Sequence, residues 1–347
     1  MIMPTHPLLS IAVPTFNRSA KLERLLISIL ENMRCIPAGS IEVVISDNGS
    51  SDRTYFVGKT WEKKSGFFYH RHEINCGFEQ NVESLLNRVS GEFVWLMGDD
   101  DIIEQRFLSS FIPLLERDVF DFVVVPDRRE DWDPHDSIAR RYGIIEPKRG
   151  RLIDFISEYG LFGILGGIGH CVFRRHKVIG FEELSGRKTL FPHVFIIARK
   201  FMQASSVMLS EPGFVVPVMS MNESQDYVDR WRTEGLWIDG WWNCMHEVVR
   251  LFEHGLVPSP VDKRFFRMMF DQNWPLHFHV YRAVAQKVFH RQEQLSIDEW
   301  DQLEVFDRLL DVPSYTEILR CLRAFSDLLG SIRENVESIS SVPRPIF

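Results

Sequence analysis

Three consecutive carboxylates, Asp99, Asp100 and Asp101, follow the apolar run 92–97. Like charges a few ångströms apart resist joint ionisation, and a divalent cation resolves the conflict. Mg2+ and Mn2+ take hard oxygen ligands, and Mg2+ is commonly held by one or two carboxylates together with substrate phosphates. The triplet therefore points to a nucleoside diphosphate bridged to the protein by metal. The competing reading is a helix cap, with the acids favoured by the dipole of a helix starting near Glu104. Two more polar clusters have the same setting. Pro14, Thr15, Phe16, Asn17 and Arg18 follow the run 8–13, and Asp47, Asn48, Gly49, Ser50, Ser51 and Asp52 follow the run 41–45.

The elements that must hold these clusters alternate in period. Leu22, Leu25, Leu26, Ile29 and Leu30 share a helical face, as do Phe78, Val82, Leu85, Leu86 and Val89, and then Phe107, Phe111, Leu114 and Leu115. A further helix is expected over 51–64, and further strands over 67–70 and 122–125. Strands alternating with helices predict βαβ units, a largely parallel sheet and helices on both faces. Ligands bind beyond the carboxyl ends of such strands, so the three clusters should meet on one rim.

Residues 127–149 are charged and lack apolar periodicity, which predicts a long surface loop. A less regular stretch follows to about residue 217, with strands expected over 171–174 and 214–218 and a helix over 194–202. Beyond it, Trp237, Trp241, Met245 and Val248, then Phe265, Met268 and Met269, then Leu303, Phe306 and Leu310, then Ile318, Leu322, Phe325 and Leu329 recur at helical spacing. The expected division is a catalytic domain over 1–220 and a helical extension over 221–347.

Four motifs in order carry a family resemblance: Ser-Ile-Ala-Val-Pro-Thr-Phe-Asn-Arg at 10–18, Val-Val-Ile-Ser-Asp-Asn-Gly-Ser-Ser-Asp at 43–52, Asn-Cys-Gly at 75–77 and Trp-Leu-Met-Gly-Asp-Asp-Asp at 95–101. Over residues 8–220 the chain resembles family 2 glycosyltransferases with the GT-A fold, most closely the subgroup that includes abequosyltransferase-like enzymes. The resemblance implies an α/β, Rossmann-like, mostly parallel sheet flanked by helices. It implies a nucleotide-sugar donor bound by Pro14, Thr15, Asn17, Arg18, Asp47, Asn48, Asn75, Gly77 and Asp99, with Asp47 accepting from the base and Asp99 near the ribose or sugar. It also implies a Mn2+ or Mg2+ ion on Asp100 and Asp101 of the DXD segment, with Asp101 close to the chemistry. Gly98 stands where the first DXD aspartate is usual, a departure that bears on the ligand set.

Sugar transfer passes through an oxocarbenium-like state while charge grows on the leaving phosphate, so a Lewis-acid metal favours the transition state. The inverting course implied by the family needs a base for the acceptor hydroxyl. Family members commonly carry Glu-Asp before a helix in the second half; the corresponding Leu-Phe-Pro-His-Val-Phe at 190–195 has no acid. His193 is the position-matched base, and its ordinary pKa suits the task. The alternatives are a helix-start histidine without a catalytic role, or Glu182 and Glu183 as bases. Gly166, Gly167 and Gly169 form either an acceptor-side wall or a tight sheet corner. Trp231, Trp237, Trp241 and Trp242 either stack on sugars or pack a core. Arg128, Arg129, Arg140, Arg141, Lys148, Arg149 and Arg151 either close over a diphosphate or anionic acceptor or are solvated. His277 and His279 mimic a metal pair, with core or surface histidines the plainer reading.

Composition bounds the rest. The 347 residues are 45% hydrophobic and 25% charged, which excludes disorder and fibrous architectures. Forty basic against 48 acidic residues leave −8, against a nucleic-acid partner. Five scattered cysteines form no CxxC pair, fitting a reducing cytoplasm. The longest apolar stretch, 161–169, is too short to span a bilayer, and residues 1–7 lack a signal-peptide pattern. The expected function is metal-dependent, inverting transfer from a nucleotide-diphosphate sugar to a saccharide or lipid-linked acceptor in surface-polysaccharide synthesis, at the inner face of the membrane. Peripheral membrane association and a homodimer through the C-terminal helices accompany it. A nucleotidyltransferase should carry a glycine in the loop after the first strand, and residues 14–18 have none. A non-catalytic sugar-nucleotide binder is the third reading.

Overall fold

The computed structural model describes residues 6–117, 119–131, 133, 137–159, 164–178, 192–218, 284–285, 287–288, 294–310 and 313–340. Two compact units, Met1–Val228 and Asp229–Phe347, divide the chain.

In the first unit, β1 (Leu9–Thr15), β2 (Ile41–Asp47) and β4 (Phe93–Leu96) are buried at every position. Strands covered on both faces read as continuous apolar runs rather than alternations, as these do. Between them come α1 (Ser19–Met33), α2 (Thr54–Trp61), β3 (Phe67–Arg71) and α3 (Phe78–Leu86). Helix α1 buries Leu22, Leu25, Leu26 and Ile29 in one core with Ile11, Val43 and Trp95. Parallel pairing sets Thr15 beside Asp47 and Asp47 beside Arg71, while Ala12 pairs with Leu96. The segment 97–101 therefore leaves the sheet at the same end as Thr15 and Asp47.

Beyond β4 lie β5 (Ile102–Ile103), α4 (Phe107–Arg117), β6 (Phe122–Val124), β7 (Asp127–Arg129), α5 (Ile138–Arg141), β8 (Lys148–Arg151), α6 (Leu152–Tyr159), β9 (Cys171–Arg174), α7 (Pro192–Lys200), β10 (Ser205–Met208) and β11 (Phe214–Val216). The large sheet runs β3-β2-β1-β4-β9-β6-β10-β8, and a small sheet runs β5-β11-β7. β9 is antiparallel to both β4 and β6, and β8 to β10. The rest of the large sheet is parallel.

The charged stretch 127–149 is not one long loop. It holds β7 and α5 and enters β8, whose Lys-Arg-Gly-Arg pairs at the sheet edge with β10. An edge strand tolerates charge, which hid it from a search for apolar periodicity.

In the second unit, α8 (Ile297–Leu310) and α9 (Pro313–Ser340) carry the helical spacing of Leu303 and of Leu322. Ser296 and Glu299 form a reciprocal capping box at the start of α8, with Glu299 Oε2 accepting from the Ser296 N–H at 2.7 Å and Ser296 Oγ from the Glu299 N–H at 3.3 Å. Trp231, Trp237, Trp241, Trp242, His277 and His279 lie outside the described residues, as do Glu182 and Glu183. No described helix is long and apolar enough to cross a membrane.

Candidate active site

The three predicted clusters meet. Thr15 Oγ1, at the end of β1, donates to Asp99 Oδ2 at 2.7 Å, and Arg18 Nη1 donates to Asp99 Oδ1 at 2.8 Å and Asp100 Oδ2 at 3.0 Å. Lys21 Nζ lies 4.0 Å from the same Asp100 oxygen. Arg18 is aimed by Asn17, whose φ of 53° turns the chain from β1 into α1. Asparagine tolerates that left-handed backbone better than most side chains. Its Oδ1 accepts the Ser51 N–H at 2.8 Å, and its own N–H donates to Ser50 Oγ at 2.8 Å, tying this turn to the loop after β2.

Asp47 lies fully buried beneath that loop. Tyr69 Oη donates to its Oδ2 at 2.6 Å, the Ser50 N–H to its Oδ1 at 2.8 Å, and Arg71 Nε stands 3.6 Å away. Burial, followed by the Asp47 bond, raises the Tyr69 pKa, so the phenol remains a donor. A nucleobase reaches Asp47 only by taking the place of one of these donors. Asn48 reaches the next loop: its Nδ2 donates to Asn75 Oδ1 at 2.9 Å and to the Gly77 carbonyl at 3.0 Å, while its Oδ1 accepts the Cys76 N–H at 2.9 Å. Gly49 permits this contact. Its φ is +74°, and a Cβ there would lie 2.7 Å from the Ile74 carbonyl carbon. Pro14 is buried, whereas Asn17 and Asn75 are exposed.

The acids are not equivalent. Burial raises the Asp99 pKa to about 6, with Arg18 opposing and Asp100 reinforcing the shift. Asp101 is raised well above the ordinary value by burial first, then by Asp100, Asp127 and Asp99. The Asp101 carboxyl takes a backbone hydrogen bond from Gly98 and the structure records no side-chain donor on it among the described residues, whereas both Asp99 oxygens are engaged by side chains. A buried carboxyl with one backbone donor, in the field of three others, suits a hard divalent cation. Among the described residues no three acidic, histidine or cysteine side chains gather tightly enough to enclose a metal. Such an ion would take Asp101 and Asp100 from the protein and its remaining oxygens from water or diphosphate.

His193 opens α7 and is buried, with Nε2 donating to the Leu165 carbonyl at 2.9 Å and Nδ1 also enclosed. Burial lowers its pKa to about 4. Among the described residues no hydrogen bond joins it to Asp99, Asp100 or Asp101. Sequence reasoning did not single out His170 and Asp127, and the second of these acts on the acids. His170 Nε2 bonds Asp127 Oδ1 at 3.0 Å, and Asp127 is near enough to raise the Asp101 pKa. The only signals for them were an acid just past strand β6 and a histidine closing a glycine-rich segment. Gly169 packs under Phe214, and its carbonyl accepts Trp95 Nε1–H at 2.7 Å, a tight corner between sheet elements. The basic residues of 128–151 pair locally: Arg128 with Glu104, Arg129 with Asp131, Arg140 with Glu211, Lys148 with Glu158 and Arg151 with Asp154. A cleft of about 560 Å³ opens beside β5, lined by Ser28, Asn32, Ile103, Glu104 and Arg128 among others, and includes none of the rim acids.

The family whose sequence pattern matches the chain is glycosyl transferase family 2, over residues 10–180. Abequosyltransferase RfbV of Salmonella typhimurium is 27% identical over 208 residues, covering 56% of this chain and 61% of that protein. The GalNAc(5)-diNAcBac-PP-undecaprenol beta-1,3-glucosyltransferase of Campylobacter jejuni is 33% identical over 110 residues, covering 30% of this chain and 34% of that protein. The chain thus spans less than two thirds of each of these two relatives. Among solved structures, Staphylococcus aureus TarS 1-349 superposes with a TM-score of 0.56 at 14% identity, covering 98% of this chain and 93% of that one. Mannosyltransferase PcManGT of Pyrobaculum calidifontis, in complex with GDP-Man and Mn2+, superposes with a TM-score of 0.52 at 16% identity, covering 94% of this chain and 86% of that one. These likenesses are of fold.

Proposed function

We propose, because the chain belongs to glycosyl transferase family 2 and has the GT-A fold, that it moves a sugar with inversion from a nucleotide-diphosphate sugar to a saccharide or lipid-linked acceptor, in surface-polysaccharide synthesis. The observation that carries this reading is the single hydrogen-bonded rim made by Thr15, Arg18, Asp99 and Asp100, drawn from two strand ends 81 or more residues apart in sequence. Nothing in the packing of the sheet requires an arginine and three acids to meet there.

The nucleoside lies across the loops after β1, β2 and β3, against Pro14, Thr15, Asn48, Asn75 and Gly77. Asp47 receives the base edge in exchange for Tyr69 or Ser50. Asp99, fixed by Thr15 and Arg18, presents its edge to the ribose or sugar, and Arg18 is the cation nearest the diphosphate. Asp100 and Asp101 would hold Mn2+ or Mg2+, which, when bound, neutralises charge on the departing diphosphate as a Lewis acid. A lipid-linked acceptor would bring the enzyme to a membrane surface.

Thermal shifts with UDP, GDP, CDP and dTDP, with and without Mn2+, test the reading, followed by transfer assays with sugars on the nucleotide that binds. A ligand at about 100 times its Kd stabilises the folded state by about 2.7 kcal/mol. One nucleotide should do so, more strongly with Mn2+. If none shifts the melting temperature in either condition, the chain is not a nucleotide-sugar enzyme.

A further inference from the structure

We propose that Asp127, oriented by His170, takes the proton of the acceptor hydroxyl during transfer; the inference rests on the transferase reading above. Asp127 opens β7 and stands in register with Phe214 of β11. On the other side of β11, Phe214 pairs with Ile103 of β5, the strand that begins directly after Asp101. One central strand therefore sets Asp127 and the acidic triplet on its two flanks.

The carboxyl of Asp127 is half committed. Oδ1 is bonded to His170 Nε2 at 3.0 Å, the residue's own N–H also bonds the carboxyl, and the structure records no other side-chain hydrogen bond to it among the described residues. The side chain keeps 15% of its surface open. A carboxylate has about four lone-pair sites, so two donors leave it room to accept from a substrate hydroxyl.

His170 has little freedom to do anything but hold Oδ1. It is 8% exposed, and its Nδ1 is buried without a hydrogen-bond partner. A proton on Nδ1 would be buried and unsatisfied, so the tautomer carries it on Nε2, facing Asp127. The Phe214 ring lies against the imidazole with centroids 5.5 Å apart. On another side, a Cβ at Gly167 would come within 3.1 Å of Cε1 and 3.3 Å of Nδ1, so a larger residue there would have to push the ring aside by a few tenths of an ångström. Burial pushes the Asp127 pKa up, but the His170 hydrogen bond outweighs it with the help of other partners and holds the carboxyl below the ordinary value. The carboxylate is therefore in its proton-accepting form at neutral pH. His193, by contrast, has Nε2 turned to a backbone carbonyl inside the fold.

The step balances within the transferase reaction. The acceptor hydroxyl oxygen forms a bond to the anomeric carbon as the bond from that carbon to the diphosphate oxygen breaks. The electron pair of the breaking bond leaves with the nucleoside diphosphate, and the hydroxyl proton passes to the Asp127 carboxylate. Asp127 is then a catalytic residue, and His170 a positioning residue.

The test compares Asp127→Asn, His170→Phe, His170→Gln and His193→Ala in the full chain, by steady-state transfer and by thermal shift with the nucleotide diphosphate. General-base contributions are about 10²- to 10⁴-fold. Asp127→Asn should lose at least about 100-fold in kcat while its nucleotide-induced shift and acceptor KM stay near wild type. His170→Phe should lose about 10- to 100-fold, by analogy with outer-sphere partners of reactive groups, and His170→Gln, which restores an N–H donor, should recover part of it. His193→Ala should turn over within a few-fold of wild type.

Transfer by Asp127→Asn at near-normal kcat would overturn the assignment, as would a parallel loss of nucleotide binding, which would make Asp127 a donor-site residue. If Asp127→Asn does not fold, equal activity of the two His170 variants overturns it instead. Failure of this proposal is distinguishable from failure of the transferase reading, because in the latter the wild-type chain itself shows no nucleotide-dependent shift.

Discussion

Asp99→Asn should make the protein more stable and less active, with the gain in stability confined to neutral and alkaline pH. Asp99 is buried, 4% exposed, and its pKa stands at about 6 in the folded chain because burial outweighs the help of Arg18 and Thr15. An unfolded aspartate titrates near about 3.9. The folded state therefore binds this proton more tightly than the unfolded state does. Its contribution to stability is fully present below about pH 4, is lost as pH rises from about 4 to about 6, and stays lost above that. At about 1.4 kcal/mol per pKa unit, the buried charge costs about 3 kcal/mol at neutral pH. An amide keeps the shape and removes the charge. Arg18 retains Asp100 at 3.0 Å, so it is not stranded. The expected gain is then about 3 kcal/mol at pH about 8, or roughly 6–12 °C in Tm, shrinking to nothing near pH 4. Thermal melts of both chains in chelator across that range provide the measurement. Removing the Asp99 charge also relieves Asp101, which Asp99 helps to raise, and this adds to the gain in the same direction. A variant that melts lower than wild type at pH 8, or a difference that does not change with pH, would refute the reasoning.

Tyr69→Phe removes the 2.6 Å donor from the buried carboxylate of Asp47. It should cost about 1–3 kcal/mol in urea unfolding and weaken nucleotide binding, since the loop after β2 loses its anchor. Glu42→Ala strips the partner from Ser10 Oγ, Ser90 Oγ and the Ser90 and Gly91 N–H groups, all within 3.2 Å of its oxygens. Several buried donors are left at once, so about 2–4 kcal/mol should be lost in denaturant titration. Because Glu42 pairs in register with Ser10, at the end of the sheet away from Thr15 and Asp47, kcat per folded molecule should be unchanged.

The rim was legible because each of its segments directly follows a strand buried on both faces, and such strands announce themselves as apolar runs. The same logic failed where strands are short or lie at an edge. β5 has two residues, and β8 is Lys-Arg-Gly-Arg, so neither carries a pattern; both exist through their partners β11 and β10. β10 was missed because Ser205–Met208 is brief and alternates weakly. Arg18 was read as a ligand contact, and its role as counter-charge to Asp99 and Asp100 needed the fold to bring residues 81 and 82 positions apart together. The Asp127–His170 pair was invisible for a related reason. Each member sat in a stretch with another plausible reading, one a charged loop and the other a glycine corner. Helical spacing in the last third found α8 and α9 because long amphipathic helices repeat their signal many times over.

β11 is three residues long, yet it pairs with both strands that carry the acids, Ile103 on one side and Asp127 on the other. The spacing between the triplet and Asp127 is thereby set by a strand that arrives more than eighty residues after Asp127. Much of the chain in between is itself committed, since β9 lies between β4 and β6 in the large sheet and His170 bonds Asp127. The small sheet acts as a gauge block, fixing the separation of the triplet and Asp127 through backbone pairing alone.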